Sequence, residues 1–183
     1  MAGCVPATEQ AVRAPAAAEH WQVTVPYPLD AELRLLLGTC LTKIERGAAP
    51  DLRVHGYSKQ PGGFYFKSVQ QEPNPATAQD GLIVNSTITL KQNSCRFGVG
   101  AMGGQGTELP FMQMVAALLD TQMRQRGFRL HVYEPRPGQR FDIWLKNETG
   151  ISIAVTGTPG RKIATVAINP ALPSILEQIR NGA

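Results

Sequence analysis

The sequence is short of charge, of aromatic rings and of the side chains that build metal sites. Charged residues make up 17% and aromatics 7%, beside 43% hydrophobic residues. That balance excludes a self-repelling disordered chain and predicts a soluble folded core. There are three cysteines and three histidines. With no Cys-x-x-Cys pair and no histidine cluster, no metal site is expected. No apolar run approaches the roughly 20 residues of a membrane-spanning helix. The net charge of +4 tolerates an anionic partner without demanding one, so nucleic acid is not the expected partner. The 183 residues suffice for one medium domain or two small ones.

The opening residues, "MAGCVPATEQAVRAPAAAEH", are rich in Ala, Pro, Glu and Thr without a period, and residues 1–20 predict a flexible tether. Ala2-Gly3-Cys4 resembles the end of a bacterial lipobox, with the leader removed and Met1 substituted. The resemblance to bacterial lipoproteins implies a lipid on Cys4, attachment to a membrane, and a periplasmic position. Val5 after the cysteine implies the outer membrane.

Beyond the tether the chain repeats itself. Residues 29–46 place Leu33, Leu36, Leu37, Cys40, Leu41 and Ile44 on one helical face. A second helix is predicted from about Pro110 to Arg126, with Gly127 as its stop. Each helix leads into a matched stretch, "LRVHGY" (52–57) and "FRLHVY" (128–133), then a Pro-Gly turn and an aromatic strand. Two further strand candidates follow in each half, "LIVNSTITL" and "CRFGVG", then "ISIAVTG" and "KIATVAI". The prediction is an α+β fold built from a duplicated α-β-β-β-β unit. The first half spans 21–102. The second spans 103–183 and ends in a short helix over 173–181. "WQVTVPY" (21–27) is a candidate edge strand.

Four sets of residues are candidate sites. Alternation along the two matched stretches turns Arg53, His55 and Tyr57, and likewise Arg129, His131 and Tyr133, to one side. Two such stripes form either a partner-binding face or the ordinary solvated face of a strand. The second set is glycine: Gly98-x-Gly100-x-x-Gly103, then Gly104 and Gly106. With "FRLHVYEP" downstream it resembles the fingerprint of NAD-dependent hydroxyacid dehydrogenases. The helix, however, opens well beyond the glycine run, and hairpin signals follow Glu134 in place of a crossover helix. No cofactor is therefore expected. The glycines serve as a joint between halves or as a loop closing over a ligand. Third, Cys40 and Cys95 pair in an oxidising envelope and remain buried thiols elsewhere. Fourth, Arg124, Arg126, Arg129, Arg136 and Arg140 are interleaved with aromatics and diluted by acids. They form a mixed surface or, alternatively, contact nucleic acid or another anionic polymer. With no motif that places a nucleophile or catalytic carboxylate, the expectation is a non-enzymatic envelope protein. It would act on another envelope protein, as an assembly accessory or an inhibitor; the alternatives are a small ligand- or nucleotide-binding protein or enzyme using the Gly98–Gly106 loop, and a cytosolic binder of nucleic acid or another anionic polymer.

Overall fold

The computed structural model describes residues 29–72, 82–102, 108–136, 139–157 and 161–181. The tether, Cys4 and the candidate strand 21–27 lie outside them.

Helix α1 (Leu29–Arg46) forms because its leucines recur at helical spacing, and Leu29, Leu33, Leu36, Leu37 and Cys40 are all fully buried. Asp30 and Glu32 in its first turn and Lys43 and Arg46 in its last complement the helix dipole. Gly47 closes it at φ +71°, its N–H donating to the Lys43 carbonyl at 2.9 Å. Helix α2 (Glu108–Gln125) begins two residues before the predicted Pro110. Gly127 ends it at φ +83°. The Gly127 N–H donates to Arg124 O at 2.9 Å and that of Phe128 to Met123 O at 3.0 Å, the paired bonds of a Schellman cap.

The two matched stretches fold differently, which corrects the strand expected over 52–57. Leu52–His55 is a 3-10 turn. Asp51 caps it, its side chain accepting from the Arg53 N–H at 3.0 Å, and Gly56 closes it at φ +82°. In the second stretch Gly127 stands in the place of Asp51 and Val132 in the place of Gly56. A β-branched valine resists positive φ and prefers an extended backbone. The first stretch therefore leaves only the short strand β1 (Ser58–Lys59), while the second becomes β5 (Arg129–Arg136).

The other strands are β2 (Tyr65–Gln71), β3 (Leu82–Leu90), β4 (Cys95–Met102), β6 (Gln139–Lys146), β7 (Thr149–Gly157) and β8 (Ile163–Pro170). All eight form one antiparallel sheet in the order β1-β2-β3-β4-β8-β7-β6-β5. Each half of the chain supplies four neighbouring strands, and the halves meet where β4 pairs with β8, Cys95 opposite Ile168 and Gly100 opposite Ile163.

Helices α1 and α2 lie on one face. Beneath them point Val84, Ser86 and Ile88 of β3, Cys95, Phe97 and Val99 of β4, and Ala164, Val166 and Ile168 of β8, all buried. One hydrophobic core thus draws on both halves. On the opposite face α3 (Pro173–Arg180) rests against the start of β7. A β-carbon at Gly150 would overlap Leu176 Cδ2 and lie 3.0 Å from the Ala171 β-carbon, so a larger residue there requires Leu176 to shift. The fold is α+β with a short C-terminal helix, as the sequence predicts.

Candidate interaction sites

The most elaborate polar site was not foreseen from the sequence. Glu32 of α1 is buried, 4% exposed, and is enclosed by three side chains of the first half. The Tyr57 hydroxyl donates to Glu32 Oε1, Ser86 Oγ approaches the same oxygen at 3.2 Å, and Lys67 Nζ reaches Glu32 Oε2 at 2.8 Å. Tyr57 and Ser86 share a further hydrogen bond of 2.8 Å, and the Lys67 ammonium lies 5.4 Å from the centre of the Tyr57 ring. Burial, reinforced by the bond to Glu32, holds the Tyr57 phenol far above its usual pKa, so it stays a donor. A carboxylate this deep is tolerated because lysine neutralises it and hydroxyls fill its remaining acceptor positions. The sequence signal was Glu32 itself, an acid one residue before Leu33 on a leucine-lined helix.

This cluster overturns the outward orientation expected of Tyr57, which is 3% exposed. The tyrosine is the root of the 3-10 turn. Above it Arg53, Val54 and His55 project into solvent, with Val54 at 75% the most exposed of the large apolar side chains described. Arg53 binds Asp51 through Nε and Nη2 at 3.0 and 2.9 Å, so the turn is held at its start and at its root.

In the second stripe Arg129 is exposed and His131 half-buried. Tyr133 again turns inward, 7% exposed, and its hydroxyl donates to Gln178 of α3. The reason is α3, which occupies the face that a bare strand would present to solvent. The two stripes stand near opposite edges of the sheet and do not form one surface.

Gly98 and Gly100 sit inside β4, paired with Thr87 and Asn85 on one side and with Thr165 and Ile163 on the other. A phosphate-cradling turn requires them between strand and helix. Here they serve close packing: a β-carbon on Gly98 would lie 2.9 Å from Thr87 Oγ1, and one on Gly100 3.3 Å from Ile163 Cγ1. Gly103, Gly104 and Gly106 lie outside the described residues. The two strand glycines belong to uncharged rows facing away from α1 and α2. One row runs Phe66, Thr87, Gly98, Thr165, Thr156, and the next Ser68, Asn85, Gly100, Ile163.

The sulfurs of Cys40 and Cys95 are bonded, with 5.4 Å between their α-carbons, which ties α1 to the middle of the sheet. Among the described side chains, Arg124 and Arg126 are engaged separately. Arg124 binds Asp120 at 2.8 Å and lies 5.6 Å from the Trp144 ring, while Arg126 packs over Gly38 of α1. The side chains of Arg136 and Arg140 lie outside those described. Between α2 and the outer strands of the second half runs a cleft of about 70 Å³, lined by Leu119, Leu130, Trp144, Ile153 and Val155 and by Asp120 and Asp142. Among the described residues no group of three metal-binding side chains comes together, and no helix is long and apolar enough to cross a membrane.

The fold is thus an α+β protein with one eight-stranded antiparallel sheet. Compared with family models, curated proteins and solved structures, the chain matches none.

Proposed function

We propose that this chain is a non-enzymatic protein of the bacterial envelope, attached to the outer membrane through Cys4, that acts by binding another envelope protein as an assembly accessory or inhibitor. The observation that carries the reading is the Cys40–Cys95 bond, since structural disulfides persist in oxidising compartments and are rare in the cytosol. The lipobox-like Ala2-Gly3-Cys4 and the tether supply the means of attachment. The rows through Thr87, Gly98 and Thr165 and through Asn85 and Gly100 supply a sheet face without ionised groups for contact with a protein, since no charge need be desolvated there.

Two measurements test this. In cells quenched with acid and treated with an alkylating agent, Cys40 and Cys95 should resist modification until a reductant is added. Alkylation without reductant places the chain in a reducing compartment and removes the envelope reading. In-cell cross-linking of the tagged protein, followed by mass spectrometry, should then yield one dominant envelope protein. Recovery of cytosolic neighbours alone overturns the partner assignment.

A further inference from the structure

The eight-stranded sheet ends on two unlike edges. At one edge β1 has only two residues, too short to pair with another chain. At the other β5 runs for eight residues, and among the described residues Arg129, Leu130, His131 and Val132 pair with β6 alone. An antiparallel strand bonds a neighbour on each side through alternate residues, so β5 carries N–H and C=O groups that point away from the sheet. The helices pack inward of this edge, α2 on β7 and β8 and α3 against Gly150 of β7. Val132 is 43% exposed.

The regular part of this edge fits itself. Pro135 has no N–H to offer, and the ladder shifts register between Tyr133 and Arg136, so regular pairing stops at Tyr133. What remains is the segment Arg129–Tyr133, with His131 at its centre. Two such segments related by a two-fold axis perpendicular to the sheet run antiparallel, and residues opposite each other must lie on the same face. With the axis at His131, Leu130 stands opposite the partner's Val132, and Arg129 opposite the partner's Tyr133. The apolar row that runs from Trp144 to Leu130 is thereby extended by one valine. With the axis at Leu130 the ladder loses that aliphatic pair and sets Arg129 against His131. With the axis at Val132 it sets Leu130 against the acid Glu134 and Arg129 against Pro135. Only the register centred on His131 uses the whole segment and matches aliphatic with aliphatic.

We propose that two copies of the chain pair β5 with β5 across a two-fold axis at His131, joining their sheets into one. A second copy is the partner that fits, because a two-fold contact requires a segment complementary to itself, and this segment is. The ladder is made of backbone groups, so the bond from Tyr133 to Gln178 within each molecule stays as it is. The contact buries one short strand on each side, less than a standard interface, so association is weak and concentration-dependent. It also stops at two molecules. Pairing consumes β5, and the β1 edges left outward are too short to continue the sheet. The threonine-lined face of the sheet stays open, so this contact stands or falls independently of any partner bound there.

Sedimentation velocity of the oxidised full chain, over a concentration series from micromolar to millimolar, should show a monomer–dimer equilibrium and nothing larger. Val132→Lys should weaken it at least tenfold, because a lysine on an edge strand resists pairing with another chain. Within its own molecule that lysine stands opposite Asp142 of β6, an attractive pair, and circular dichroism verifies the fold. Cross-linking reads the register separately. Facing residues of an antiparallel pair have α-carbons about 4.5–5.5 Å apart, within the span of a disulfide. In a Cys4→Ser background, His131→Cys should therefore oxidise to a covalent dimer at least tenfold faster than Lys59→Cys on the opposite edge. A wild type that stays monomeric at millimolar concentration overturns the proposal. So do species larger than the dimer, association that Val132→Lys leaves unchanged, or cross-linking of His131→Cys no faster than that of Lys59→Cys.

Discussion

The Glu32 carboxylate has an acceptable energy only because three side chains from three different segments meet it. Removing one of them is costly in proportion to the charge left unpaired. Lys67→Met should destabilise the fold by about 3 kcal/mol, since it strands a buried anion, whereas Tyr57→Phe should cost about 1–2 kcal/mol. Urea unfolding monitored by fluorescence separates the two; equal costs would mean that Glu32 is not held as the anion. The pH dependence has a definite sign. The folded state raises the Tyr57 pKa above its ordinary 10.0, so the stabilisation is complete below pH 10 and is lost as pH rises beyond it. Between pH 10 and 12 the wild type should lose stability more steeply than Tyr57→Phe. None of this is legible in a linear sequence. Glu32 is visible as an oddity on an apolar face, but Tyr57, Lys67 and Ser86 come to it from distant segments. Their side-chain directions follow from strand register, which the sequence does not state.

Helices and strands are legible where one periodicity dominates. The leucine spacing of α1 and the alternation in β3, β4 and β8 suffice to place them. The failure at 52–57 is instructive because its cause is local. Residues 52–55 resemble their counterparts in β5, yet Asp51 and Gly56 on either side change the backbone. The likeness of two side-chain patterns does not outweigh a cap and a positive φ. Helix α3 shows the reverse case, where a short amphipathic helix is foreseen but its seat is not. Its seat depends on Gly150, and no residue of α3 is itself buried. Gly150→Ala should therefore cost about 1–3 kcal/mol as an overpacked site and free the helix. Hydrogen exchange over 173–180 should accelerate more than exchange in β4 and β8. Unchanged exchange there would show that α3 is held by the Tyr133–Gln178 bond and by Arg180, whose Nη2 donates to Glu148 O at 3.5 Å, rather than by its fit at Gly150.

At the scale of the molecule, sequence repetition suggests two halves, and the sheet shows how they combine. They are not two independent bodies, because the core includes residues of both and the strand at the end of each is the inner neighbour of the other. Neither half is expected to fold alone. Residues 21–102 end at β4, whose free edge needs β8. Circular dichroism and proton NMR of the two separate halves should show little stable structure, and the intact chain should unfold in a single transition. Reduction of Cys40–Cys95, which closes a loop with a sequence separation of 55, should lower stability by about 4 kcal/mol in the chain-entropy account. Two separated transitions in the intact protein would contradict the single core.

The pairing of β4 with β8 also sets an order on synthesis. The chain leaves the ribosome from its N-terminus, so β4 is made while β8 has not yet been. The sheet cannot be completed until the last strand arrives. During that interval β4 is an open edge, its backbone groups toward β8 unpaired while α1 packs on its buried face. The nascent first half thus carries one open strand edge, a template for unwanted pairing, until the final strand closes it.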